Sequence, residues 1–394
     1  MSQQQPVYYI SDDPAVVNLK HPKWDTTLPL NRHLPARPEM NPTDENLTYG
    51  EYFKAVADFL SAHASDFVSQ AVSHHVNRSI DPREILNTQI HLEKHGAFYH
   101  PARIVLSLID CQVSLVMNVA VSAAGKNTIE KEYHHLKQLG HRMPPAWLPG
   151  VFGFDKVRVN GQRYVGMFLG EWFEDFHEFH VSEKNGPGKD RIRVWDPKNR
   201  ALFFTRHQTQ RVFEQAAMIL TAYYNLETFE QIASWHHAAG DFVVCLNDDN
   251  PELKLITVLD YRPFFKIAKE AGGLETILNT LLIFLLNLSI RLRIDRVDGV
   301  GGMVWLETDV VHNIISGFFK GLALQVENSH IPLAMMEAFK LFLLHLPETD
   351  IQDIFSGIVH QMGPKSPDLP VIKKNLHRHV EAVLSELRQM KIPI

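Results

Sequence analysis

The stretch Val151-Phe152-Gly153-Phe154-Asp155-Lys156-Val157-Arg158-Val159-Asn160-Gly161-Gln162-Arg163-Tyr164-Val165-Gly166-Met167-Phe168-Leu169 decides how this chain folds. Asn160-Gly161 sits between two β-runs. Asn-Gly there is a two-residue hairpin signal, because both central residues of such a turn need positive φ. Upstream, Ile90 and Leu92, then Ile104, Leu106 and Leu108, then Val113, Leu115, Met117, Val119 and Val121 alternate as strands do, giving an antiparallel meander. From about Ala124 to Leu139 the period changes to helical, with Ile129, Tyr133, Leu136 and Leu139 on one side. The order is three strands, one helix, two strands.

Farther upstream, Phe53, Val56, Phe59, Leu60, Ala64 and Phe67 predict an apolar helix face from Tyr49 to about Val76, with Thr48 as N-cap. Seven prolines between Pro6 and Pro42 forbid long helices and predict an extended surface arm over residues 1–48. Downstream, polar residues 183–199 read as a loop and Thr209–Tyr224 as a helix. Phe242–Leu246 and Leu253–Leu259 read as a strand pair, and everything after Gly273 as helical except Gly299–Gly302. The apolar run Leu274–Ile290 carries Glu275, Asn279 and Asn287 and reads as a buried core helix rather than a membrane span. The class is α+β and bilobal: an arm and helix over 1–82, a small antiparallel β-rich lobe over 83–171, and a larger, mainly helical lobe over 172–394.

Composition narrows the function classes. The chain has 394 residues, 45% of them hydrophobic and 21% charged, which excludes a wholly disordered, collagenous or coiled-coil chain. A net charge of −6 offers no bulk basic surface for nucleic acid. The two cysteines, Cys111 and Cys245, leave no disulfide framework or cysteine zinc site and point to a reducing compartment. Met1–Pro6 lacks the basic and apolar regions of a signal peptide. A cytoplasmic protein without a membrane segment is the expectation.

Candidate chemistry concentrates around Ser234-Trp235-His236-His237-Ala238-Ala239-Gly240-Asp241-Phe242-Val243-Val244 and Leu259-Asp260-Tyr261. One hairpin with an Asp at its entry and another at its exit would bring two carboxylates together, a pairing that suits Mg²⁺. Each Asp alone also reads as a turn or cap residue. His177-Glu178-Phe179-His180 spaces two imidazoles three apart, as a helix face could present to zinc or iron; surface or capped histidines are the plainer reading. The other histidine pairs are His74-His75, His134-His135 and His236-His237. Trp172, Phe173, Phe176 and Phe179 read first as core, with part available to a substrate cleft. Nucleophile-elbow, Walker A and dinucleotide fingerprints are all absent.

This layout resembles the protein-kinase-like fold, in particular the aminoglycoside-phosphotransferase type. Val151–Gly153 through Met167–Phe173 resembles its fourth and fifth strands running into a hinge, Glu132 falls at the helix-C glutamate, and Leu259-Asp260-Tyr261 resembles its second-metal motif. The resemblance implies a nucleotide or other phosphorylated ligand held with a divalent metal between two lobes, with Mg²⁺ and ATP as cofactors. Asp241 and Asp260 would hold metal, Glu132 would orient a cation, and backbone around Glu171–Phe173 would meet a purine. A small-molecule hydroxyl would be the acceptor in any phosphotransfer.

The motifs depart from the family's pattern at three points. In one register Gly240-Asp241 ends the catalytic loop, so Asp241 replaces the metal-binding Asn and His236 takes the base position. In the other, Gly240-Asp241 is itself the Gly-Asp pair, Asp241 is the base, and Phe242–Leu246 would be loop. Asn118 stands where the third-strand lysine is expected, with Lys126 the nearest substitute. The first hairpin, Lys94-His95-Gly96-Ala97-Phe98, has a single glycine and no phosphate cradle. Two further classes therefore stand beside the catalytic one: a non-catalytic kinase-like (pseudokinase) binding or scaffold protein, and a His-dependent metalloenzyme.

Overall fold

Thr48 starts the first helix by a reciprocal cap: its hydroxyl accepts from Glu51 N at 3.2 Å, and Glu51 Oε2 accepts from Thr48 N at 2.9 Å. The computed structural model describes residues 5–10, 13–29, 47–96, 98–143, 147–161, 163–182, 191–196, 202–233, 235, 238–247, 250–264, 273–307 and 309–389. The chain divides into two compact units, residues 1–140 with 149–174 and residues 141–148 with 175–394.

The first unit runs β1 (Val7–Ile10), β2 (Asp13–Val17), α1 (Tyr49–Ala62), α2 (Ser69–Val76), β3 (Asn87–Leu92), β4 (Ala102–Ser107), β5 (Gln112–Ala120), α3 (Ala123–Leu139), β6 (Val151–Val159) and β7 (Arg163–Glu171). The seven strands form one sheet in the order β2-β1-β3-β4-β5-β7-β6. The predicted order of three strands, helix and two strands is present, in the kinase-like arrangement that the resemblance implied. The arm is more than an extended surface strap: β1 and β2 join the sheet edge, with β1 parallel to β3.

The predicted long helix is broken after Ala62 by a widened turn, Ala64–Val68. That turn seats Phe67 over Gly153, where a Cβ would lie 2.1 Å from the ring. At the hairpin, Asn160 and Gly161 take φ of 47° and 78°, as expected. Val159 pairs with Arg163, so the connection has three residues rather than two. Alternate residues of β5 (Val113, Leu115, Met117, Val119) pack with Phe53, Val56 and Phe59 of α1 in one core, and α3 covers the opposite face.

The second unit contains β8 (Phe179–Ser182), β9 (Arg191–Val194), α4 (Arg206–Ala222), β10 (Glu230–Ala233), α5 (Ala238–Asp241), β11 (Phe242–Asn247), β12 (Asn250–Leu255), β13 (Asp260–Pro263), α6 (Leu274–Arg291), β14 (Ile294–Arg296), β15 (Met303–Trp305), α7 (Val311–Glu327), α8 (Leu333–His345), α9 (Glu348–Gln361) and α10 (Leu369–Gln389). It is mainly helical. Among the described residues α6 alone is long and apolar enough to cross a membrane, and 56% of it is buried inside the protein. Its Leu281, Leu282, Leu285 and Leu286 are fully buried, as a core helix requires.

Short strands escaped the pattern reading. Residues 191–194 of the expected loop form β9, and the expected helical region holds the hairpin of β14 and β15. Strands of three or four residues are too short to display a period.

Candidate functional site

In the β-rich unit, Asn118 is half-buried on β5, directly opposite Phe168 of β7. α3 lies over that face: the Tyr133 and Phe168 rings are 6.2 Å apart, and a Cβ at Gly166 would come within 2.9 Å of Ile129. Glu132, next to Tyr133, is 1% exposed. Its carboxylate accepts a 2.5 Å hydrogen bond from the Tyr99 hydroxyl. Burial first, and then the charge of Glu132, push the Tyr99 phenol far above its ordinary range, so the phenol keeps its proton and donates. Tyr99 also packs edge-on against Phe168.

The loop carrying Tyr99 is tied down along its length. His100 N donates to Val119 O at 2.9 Å, and the Tyr52 hydroxyl donates to His100 O at 2.7 Å. The facing Nδ1 atoms of His95 and His100 are 3.0 Å apart and share one proton. Burial and the neighbouring His95 pull His100 down to about 4, which keeps it neutral. Gly125 opens α3 so closely under this loop that a Cβ there would sit 2.1 Å from Phe98 O. Sequence reading singled out Glu132 and Asn118 but missed Tyr99, because 33 residues separate the hydroxyl from its acceptor and no local pattern marks the pair.

At the end of β7, Glu171 is half-buried. Its N–H donates to Gly150 O at 2.8 Å, and its Oε2 accepts from Gly150 N at 3.1 Å. Phe173 is half-buried just beyond it. Trp172 carries the Arg103 guanidinium over its ring at 5.5 Å.

In the second unit, Phe242–Asn247 is a strand, as the first of the two registers requires. The strand partner is shorter than expected. β12 stops at Leu255; Ile256 N still donates to Asp241 O at 2.8 Å in the same register, and the Thr257 hydroxyl donates to Asp241 Oδ1 at 2.8 Å. Asp260 therefore does not end that hairpin; it opens β13, which pairs with β10 through Asp260 and Ala233.

Asp260 is paired with an arginine, and Asp241 lies in the electrostatic surroundings of another. Asp260 Oδ2 accepts from Arg262 Nε at 2.5 Å. Asp241, with Asp368, offsets the burial that depresses the Arg291 guanidinium, which itself donates to Trp235 O at 2.9 Å. His236, the expected base, and His237 lie outside the described residues. Among the described residues no group of three His, Cys, Asp or Glu is placed to hold a metal ion.

His177 and His180 do not share a helix face. His180 is on β8 and His177 bridges Val244 in extended chain, where a spacing of three puts side chains on opposite faces. His180 is 7% exposed; its Nδ1 lies 3.5 Å from Asp295 and its Nε2 3.8 Å from Glu178. Burial alone would lower its pKa, but the two carboxylates outweigh it and raise the value from 6.5 to about 9. The folded pKa is above the unfolded one, so this stabilisation is complete below pH 6.5 and is lost as pH rises through 9. Between pH 6.5 and 9.5 the wild type should lose roughly 2–3 kcal/mol more than His180→Gln in denaturant melts. Parallel pH profiles would show that the imidazolium is not held this way.

No protein-family model matches the chain, and no curated protein matches it. Solved structures similar to it include WaaP in complex with acyl carrier protein (9% identity, 64% of this chain and 85% of that one, TM-score 0.26). A pseudokinase in its apo form is similar at 11% identity, covering 73% and 90%, with a TM-score of 0.27. The PAN3 pseudokinase of Drosophila melanogaster is similar at 6% identity, covering 74% and 64%, with a TM-score of 0.27. The fold rests on the strand order of the chain itself.

Proposed function

We propose that this chain is a non-catalytic kinase-like protein, a binding or scaffold module that does not turn over nucleotide. The observation that carries the reading is the Tyr99–Glu132 hydrogen bond. The glutamate that would orient a phosphate-binding cation holds a phenol from the loop that would cover the phosphates, and Asn118 supplies no charge on that face. Of the backbone around Glu171–Phe173, the Glu171 N–H is already taken by Gly150 O. Asp241 Oδ1 accepts from the Thr257 hydroxyl and Asp260 Oδ2 from Arg262 Nε, so each carboxylate has a protein donor of its own. Among the described residues no group of three His, Cys, Asp or Glu is placed to hold a metal ion, which supports the non-catalytic reading over Mg²⁺-ATP. The finer likeness to the aminoglycoside-phosphotransferase type goes with the catalytic reading.

Thermal melts of the full chain with ATP or GTP, with and without Mg²⁺ or Mn²⁺, decide between the two. A ligand at about 100 times its Kd stabilises by about 2.7 kcal/mol. The expected result is unchanged melting for every nucleotide. A rise that needs Mg²⁺ overturns the reading and restores Asp241 and Asp260 as metal ligands.

A further inference from the structure

α8, Leu333-Ala334-Met335-Met336-Glu337-Ala338-Phe339-Lys340-Leu341-Phe342-Leu343-Leu344-His345, is almost wholly apolar, yet only Phe339 and Leu343 are buried. Phe339 faces α7, with its ring 5.7 Å from Phe318 and 6.3 Å from Phe319. On the other side Leu333, Leu341 and Leu344 are 51%, 47% and 48% exposed, an apolar stripe that an isolated surface helix does not need. Glu337 and Lys340 lie within this stripe, and neither forms an ion pair among the described residues.

The order of the stripe identifies its occupant. Leu333, Glu337, Lys340 and Leu344 follow one another at steps of four, three and four, the spacing of a helix-pairing seam. The seam is also a palindrome in chemistry about its midpoint between Ala338 and Phe339. Turned antiparallel about that point, a second identical helix sets Leu344 against Leu333, Lys340 against Glu337 and Met336 against Leu341, each contact occurring twice. A parallel pairing would instead set Glu337 against Glu337 and Lys340 against Lys340. A two-fold axis needs just this self-complementarity. We propose that α8 is a homodimerisation surface, pairing antiparallel with α8 of a second copy of this chain through Leu333, Glu337, Lys340 and Leu344. A single short helix gives a small interface, so the dimer forms reversibly as concentration rises.

Sedimentation equilibrium of the full chain tests this by charge exchange. Wild type should shift from monomer toward dimer across the micromolar range. Glu337→Lys and Lys340→Glu each replace two attractions by two repulsions and should weaken association about tenfold. Mixing the two variants, or combining both changes in one chain, should restore it. Both sites are on the exposed side of α8, so circular dichroism should show every variant folded. Wild type that stays monomeric at the highest concentration overturns the proposal. So does a dimer indifferent to the single swaps, or one that the mixture fails to recover.

Discussion

Acidification below about pH 6.5 is expected to weaken the helical unit, and His379 is the group through which it acts. This imidazole, on α10, is 1% exposed. Trp305 and Phe355 pack edge-on against it, at 5.3 and 5.5 Å. One neutral tautomer satisfies all its neighbours. Nε2–H donates to Ser289 Oγ at 2.9 Å, the Ser289 hydroxyl donates to Leu286 O at 2.8 Å, and Nδ1 faces Arg293 Nη1 at 3.5 Å. A second proton would place two cations side by side out of water. Burial, with the Arg293 charge added, lowers the pKa from 6.5 to about 3.

The folded pKa is depressed, so the neutral ring costs nothing above pH 6.5. Below that the unfolded chain takes up a proton that the folded one refuses. Stability then falls by up to about 1.4 kcal/mol for each pH unit down to pH 3. Hydrogen exchange of α6 and α10 amides at pH 7, 6, 5 and 4 should show this acid loss in wild type and a flatter profile in His379→Gln. Identical profiles would mean that His379 is not the acid-sensitive group. His180 tilts stability in the opposite direction on the alkaline side.

Gly317→Ala is expected to be among the most damaging single substitutions in the chain. α7 crosses α4 at two glycines: a Cβ at Gly317 would lie 2.1 Å from Glu214 O, and one at Gly321 would lie 2.6 Å from Met218 O. Both clashes are with backbone, which cannot swing away as a side chain could. The crossing is also cross-linked, since Glu214 Oε1 accepts from Ser316 Oγ and Lys320 Nζ, both at 2.7 Å. Separating the helices to admit one methyl would strain these bonds and open the core on either side. The expected cost is about 3 kcal/mol, despite the gain of about 1 kcal/mol that alanine brings to a helix interior. Gly357 supplies the control: it lies inside α9 with nothing within 4 Å of its would-be Cβ. Gly357→Ala should stabilise by roughly 0.5–1 kcal/mol. Guanidinium melts of the two variants should therefore move in opposite directions, and a tolerated Gly317→Ala would refute the close crossing.

The elements legible in sequence are those whose cause is local. Alternation marked β3, β4 and β5, the 3.6-residue period marked α3 and α4, Thr48 marked its helix start, and Asn160-Gly161 marked its turn. Periodicity and turn chemistry act within a few residues, so a one-dimensional reading contains them. The kinase-like order of the small lobe followed from those elements, and with it the interest of Asn118 and Glu132.

What lay beyond the sequence depended on partners far along the chain. Pro6 and Pro14 made the arm look like surface strap, yet the parallel pairing of β1 with β3, some eighty residues away, makes it sheet. Asp260 read as the end of one hairpin and is the start of a strand beside β10, because its partner across the sheet is the distant Ala233. Tyr99 carried no sequence signal, yet its hydroxyl on Glu132 turns the reading of the site from catalysis toward binding. The sequence determined the longer helices and strands, since local sterics and burial patterns settle those within a few turns or alternations. Tertiary structure decided which polar groups meet, because a buried carboxylate takes whatever donor the packing of distant elements brings within 3 Å.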